Sequence, residues 1–167
     1  MDILQDENQQ QLDPLELQVV EFFVDGVRVL GLPRSIGEIY GLLFISQAPL
    51  SLDDLVQRLK ISKGSASQGL RMLKGLGAVR EVENTTERRT HYEPAVELKR
   101  LVGGFIREQI RPHMDSGKTK LSLLAQTIEK IDDSDRRKFS ADRVKRLDQW
   151  MSRGRKVLPV LQKLLGQ

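Results

Sequence analysis

The sequence predicts a mainly α-helical protein with one small β-hairpin, and three observations predict it. Capped helices with apolar periodicity lie on both sides of residues 51–93. Inside that stretch, two short helices follow one another across a tight turn. A glycine stop then leads into two runs that alternate as strands do, joined by a polar and basic tip. Helix, turn, helix and basic hairpin in that order form the layout of a winged helix-turn-helix, a module whose second helix enters the DNA major groove.

Size and composition agree. A chain of 167 residues supports one core, or a small domain with helical appendages. Hydrophobic residues make up 39% and charged residues 30%, which describes a soluble chain, and no apolar run reaches the length of a membrane span. The acidic start (Asp2, Asp6, Glu7) is unlike a signal peptide, and the absence of Cys excludes disulfides, thiolate metal sites and a Cys nucleophile. A cytoplasmic setting is expected. The net charge of +4 hides an asymmetry: residues 1–50 sum to −6 (two basic, eight acidic) and residues 51–167 to +10 (25 basic, 15 acidic). A basic half suits an anionic partner such as nucleic acid.

Residues 1–12 are polar and expected to be a flexible N-terminus. Asp13-Pro14-Leu15-Glu16 is a helix start, with an N-cap, a proline at the first position and Glu at the third. The helix to about Leu30 is apolar on several sides, which predicts contact with its own domain and with a second subunit. Gly31-Leu32-Pro33 breaks it, and a second helix follows over residues 35–47. Gly37 and Gly41 share a face of this helix and allow a neighbour to approach closely.

Ser51 is placed to cap Asp54, with Leu50 and Leu55 at the two staple positions of a helix over residues 52–60. Ser62 caps a helix over residues 63–76 whose inward stripe is Ala66, Leu70 and Leu73. Gly75 and Gly77 end it, strands follow at 78–82 and 88–92, and the turn between them is Asn84 to Glu87. Pro94 is expected to open a helix over residues 95–114, Ser116-Gly117 to separate it from a helix over residues 119–131, and Asp132 to Asp135 to form a polar break. Ser140 is expected to cap the last helix, in which Val144, Leu147, Met151, Leu158, Leu161 and Leu165 fit a heptad frame with Gly154 in a continuing slot, and Pro159 to kink it. The chain is thus divided into residues 1–12, a DNA-binding domain with its leading helix over 13–94, and a helical dimerisation and signal-sensing region over 95–167.

The outward face of the 63–76 helix carries the candidate site. Gln68 can pair with adenine and Arg71 with guanine. Lys63, Ser65 and Ser67 suit bases or phosphates near the helix N-terminus, and Arg88 and Arg89 at the hairpin tip suit phosphate or minor-groove contact. In isolation such residues also describe an ordinary solvated helix face; the consecutive cap, turn, helix and hairpin favour the reader.

Residues 31–94 resemble the GbsR/MarR-type transcriptional regulators of bacteria and archaea. The resemblance rests on G-L-P-R-S before the second helix, S-K-G-S-x-S at the start of the 63–76 helix and the L-R-x-L that follows it (Ser62 to Leu73), and E-R-R-x-x-Y in the hairpin. It implies a homodimer joined by its terminal helices, with two wings straddling an inverted repeat, and a small-molecule effector or other signal that alters the spacing of the two heads. The quaternary-ammonium ligands of some GbsR-like members are not carried over, because the one Trp, two Tyr and five Phe fall mostly at core positions.

No residue set predicts an enzyme, a cofactor or a metal site. His91 and His113 stand apart as surface or half-buried residues, Gly103-Gly104 lacks a following G-K-[ST], and Asp132 to Asp135 lacks the calcium-loop pattern. The sequence therefore predicts a dimeric, sequence-specific DNA-binding regulator, a repressor acting on double-stranded DNA with no membrane association. The alternatives are a winged-helix protein-interaction module and a non-specific architectural nucleic-acid-binding protein.

Overall fold

A computed structural model describes residues 11–83 and 89–165. The flexible start expected at residues 1–12 falls almost wholly outside these, as do Arg88 and the turn from Asn84 to Glu87. The chain forms two compact units, Met1–Leu101 and Val102–Gln167.

The first unit is built on helix α2 (Arg34–Ile45), against which α1 (Pro14–Val29), α3 (Leu52–Leu59), α4 (Lys63–Gly75) and strand β3 (His91–Pro94) all pack. The Asp13–Glu16 capping box starts α1, and Asp13 accepts from the Glu16 amide at 2.8 Å. The helix closes with Gly31 at φ +70, which lets the amides of Gly31 and Leu32 reach the carbonyls of Arg28 and Val27. Gly37 and Gly41 bring α2 onto α1 at backbone distance: a Cβ at Gly37 would stand 2.6 Å from Val24 Cα, and one at Gly41 2.8 Å from Val20 Cα. Val20, Phe23, Val24 and Val27 are thereby buried with Ile36, Ile39, Tyr40 and Leu43. Phe23 meets the Tyr40 ring edge-on at 4.9 Å, and the Tyr40 hydroxyl donates to the Ala95 carbonyl at 2.7 Å.

Arg58, near the end of α3, reaches back to α1 and donates from Nη2 to both oxygens of Glu16, at 2.7 and 2.6 Å. The same carboxylate accepts from the Asp13 amide at 3.0 Å, so one acid serves the α1 cap and ties α1 to α3.

The hairpin is part of a three-stranded antiparallel sheet in the order β1-β3-β2, with β1 at Leu50–Ser51 and β2 at Val79–Val82. The sequence pattern predicts two strands; the third is short because Ser51 is at once a strand residue and the cap of α3. The returning strand lies at His91–Pro94 rather than 88–92, with Val82 opposite His91 and Val79 opposite Pro94. Pro94 has no N–H to donate, so it ends this strand and does not open the next helix.

Three expectations for the C-terminal region are corrected. The helix expected from residue 95 begins as α5 at Leu98–Phe105 and passes into a π-helical turn, Ile106–Ile110, before α6 (Arg111–Glu129). There the Arg111 amide bonds to the Ile106 carbonyl, and this widened turn precedes Pro112, whose ring has no amide to give. Ser116 and Gly117 do not break α6. Gly117 instead receives Met151 of α7 (Ser134–Leu164), and Gly154 of α7 receives Met114: a Cβ at either glycine would stand 2.3 or 2.7 Å from the facing methionine Cε. The cap of α7 is Asp133, which accepts from the Arg136 amide at 2.8 Å, not Ser140. An N-cap acid followed by Asp135 in the first turn starts the helix seven residues earlier than Ser140 would. The helix runs through Pro159 without ending.

The heptad frame of α7 divides in two. Val144, Met151, Gly154, Leu158 and Leu165 are half-buried, whereas Leu147 and Leu161 are exposed. Beside those lie the exposed Trp150, Val157 and Leu164, completing an uncovered stripe. Between α6 and α7 opens a groove of about 710 Å³, floored by Leu121, Ala125, Ile128 and Val144 and flanked by Arg137 and Arg155. One Arg155 guanidinium nitrogen is buried there without a hydrogen-bond partner.

Two outcomes test this packing. Gly37→Ala gains about 1 kcal/mol of helix propensity, yet its methyl meets the α1 backbone, which cannot rotate aside. Denaturant unfolding is expected to show a net loss of about 3 kcal/mol. Burial pushes the Tyr40 hydroxyl up to about 12, above the value of about 10 in an unfolded chain. The folded state thus favours the neutral phenol. Its contribution to stability is complete below about pH 10 and is lost as the pH rises through about 12. Tyr40→Phe should abolish that alkaline decline while costing about 1–3 kcal/mol at neutral pH, because the Ala95 carbonyl loses its donor.

Candidate nucleic-acid interface

The geometry of α4 follows from its ends. Ser62 accepts from the Ser65 amide at 3.1 Å and donates to the Ser65 hydroxyl at 3.0 Å, so the first turn is fixed while the Ser65 proton stays available. At the other end Gly77, at φ +72, lets its own amide and that of Ala78 close on the carbonyls of Lys74 and Leu73. Ala66, Leu70 and Leu73 are buried as the spacing predicts.

Gly69 is buried too, and explains itself by contact: a Cβ there would stand 2.3 Å from Ile39 Cδ1. Its lack of a side chain lets α4 lie directly on α2, which fixes how the opposite face is presented.

That face carries Lys63, Gly64, Gln68 and Arg71, all exposed, with Ser65 and Ser67 half-buried at its margin. Among the described residues, Gln68 and Arg71 make no hydrogen bond or ion pair within the chain. Arg71 and Ser67 line a depression of about 160 Å³ together with Leu52, Lys74 and Tyr92. Lys74 is paired with Glu81 of β2, and Arg80 with Glu93 of β3, so the cations beside the hairpin strands are already neutralised.

Arg89 is exposed at the start of the returning arm, and the structure brings it and Lys63 to one acid, Asp53. Lys63 Nζ lies 3.5 Å from Asp53 Oδ1, and Arg89 Nη1 lies 3.9 Å from Asp53 Oδ2. The sequence reading does not single out Asp53. Its only signal there is a second acid beside the capping Asp54, and nothing local shows that it reaches two other elements. His91 and His113 are half-buried and exposed, respectively, and the His91 Nδ1 lies 2.9 Å from the Arg89 carbonyl oxygen.

No family profile and no curated protein matches the sequence. Among solved structures, the chain is similar to one described as a transcriptional regulator, with a TM-score of 0.66 and 20% identity, over 92% of this chain and 97% of that one. A MepR mutant of S. aureus, bound to an oligodeoxyribonucleotide, aligns with a TM-score of 0.42 and 16% identity over 80% of this chain and 90% of that one. The first likeness and the arrangement of α3, α4 and the three strands give the same result: the fold is mainly α-helical with a winged helix-turn-helix.

Proposed function

We propose that the protein is a sequence-specific DNA-binding transcriptional regulator that acts as a homodimer on an inverted repeat and represses transcription. One observation carries the reading: the outer face of α4 presents Gln68 and Arg71 without internal partners among the described residues, on a helix seated against α2 through Gly69. A helix whose bidentate donors are uncommitted is suited to base edges in the major groove. Lys63, Ser65 and Ser67 at its N-terminal end are suited to phosphates, and Arg88 and Arg89 to the neighbouring backbone or minor groove. The similarity in fold to a transcriptional regulator supports the same reading.

The homodimer is supported by two uncovered stripes, each seen within its own unit. On α1, Leu15, Phe22 and Val29 are exposed at seven-residue intervals, with Val19 and Gly26 in the intervening slots. On α7, Leu147, Trp150, Val157, Leu161 and Leu164 fall on a three-four frame whose slot between Trp150 and Val157 is Gly154, which receives Met114. Apolar stripes of this length call for a covering surface, and a second copy offers the same stripes in return. Residues 95–167 would then serve dimerisation and signal sensing. The groove between α6 and α7, within the usual size range of small-molecule sites, is the place for an effector.

Arg71→Ala should weaken binding to the selected duplex by about 1–3 kcal/mol and relax preference at one position per half-site, measured by fluorescence anisotropy on single-base variants. Arg89→Ala should weaken all duplexes alike and lower the salt slope by about 1. Equal loss on specific and random duplexes for Arg71→Ala would contradict base reading, and would fit an architectural nucleic-acid binder. In sedimentation equilibrium the protein should have twice the 19.0 kDa chain mass. Trp150→Asp with Leu161→Asp should shift it to monomer, and an unchanged mass would remove α7 from the seam.

A further inference from the structure

Asp53 is a surface acid at an unexpected place. It stands in the first turn of α3, where Asp54 already makes the capping box by accepting from the Ser51 amide at 2.7 Å. The cap therefore does not need Asp53. Its two carboxylate oxygens instead divide between cations of two other elements: Lys63, the first residue of α4, at 3.5 Å, and Arg89 of the hairpin arm at 3.9 Å. The carboxylate side chain is half exposed, and both contacts exceed hydrogen-bond length. Such pairs are weak in water and readily exchanged.

We propose that Asp53 is an internal stand-in for a DNA phosphate, occupying the anion position between the start of α4 and the hairpin arm until a duplex displaces it. This inference rests on the DNA-binding reading above. An anion with two oxygens facing two cations is the arrangement a backbone phosphate would adopt there, with shorter charge-assisted bonds in place of the present long contacts. The displaced Asp53 then repels the incoming backbone. It thereby subtracts from the sequence-independent part of the affinity, while Gln68 and Arg71, which it does not touch, keep the sequence-dependent part. Asp53 is in this sense a specificity-determining residue: it holds down binding to arbitrary DNA.

The test compares full-length wild type, Asp53→Asn and Asp53→Ser with Asp132→Asn, an exposed acid far along the chain in the other compact unit. Affinities for a random-sequence duplex and for a duplex selected by the wild type are measured by anisotropy between about 50 and 200 mM salt. Both Asp53 variants should bind the random duplex about three- to ten-fold more tightly and show a salt slope steeper by about 1. The ratio of specific to random affinity should fall, and Asp132→Asn should behave as wild type. Unchanged or weaker random binding by both Asp53 variants would overturn the inference, as would an equal gain from Asp132→Asn, which would be a net-charge effect. A wild type that binds no duplex even at low salt would overturn the DNA-binding reading itself, an outcome distinct from either of these.

Discussion

The structure of the first unit depends on one constraint: α2 must be narrow enough to be touched from opposite sides. Gly37 and Gly41 let the α1 backbone come within van der Waals range of it, and Gly69 lets α4 settle on its Ile39 side chain. Dense packing of this kind transmits position, because interdigitated side chains leave few alternative arrangements. The outer face of α4 is thus oriented by residues buried beneath it. The Arg58–Glu16 pair adds a second tie, from α1 to α3, so that the leading helix and the helix-turn-helix are braced at two places.

Much of this was legible because it is local. Caps act over three residues, so Asp13 with Glu16, Ser51 with Asp54, and Ser62 with Ser65 can be read directly from the chain. The paired glycines of α2 and the inward stripe of α4 are legible from helical periodicity. What failed was non-local. Ser116-Gly117 looks like a break, yet Met151 fills the space that the glycine leaves, and packing overrides propensity. The strand at Leu50–Ser51 exists only because β3 pairs with it. The cap of α7 is the local exception: Asp133 accepts from the Arg136 amide three residues on, and Ser140 was the weaker of two start signals within reach of the same reading. Asp53 was illegible for the same reason as the third strand, since its meaning comes from two partners distant in sequence.

The candidate surface shows a division of labour by charge. Cations that support the hairpin strands are neutralised in place, as with Lys74 and Glu81 or Arg80 and Glu93. Gln68 and Arg71 have no internal partner among the described residues, and Lys63 and Arg89 are held only loosely. This grading fits the proposed function: under that reading free donors would supply base recognition, and damped cations would keep the background low.

The central claim is that α4 reads sequence, and that two copies of it do so together. Selection from random duplex DNA with the purified protein tests both halves at once. The account predicts enrichment of an inverted repeat whose half-sites are separated by about one or a whole number of helical turns. Recovery of duplexes with no common motif, after the protein has been shown to bind DNA, would contradict it.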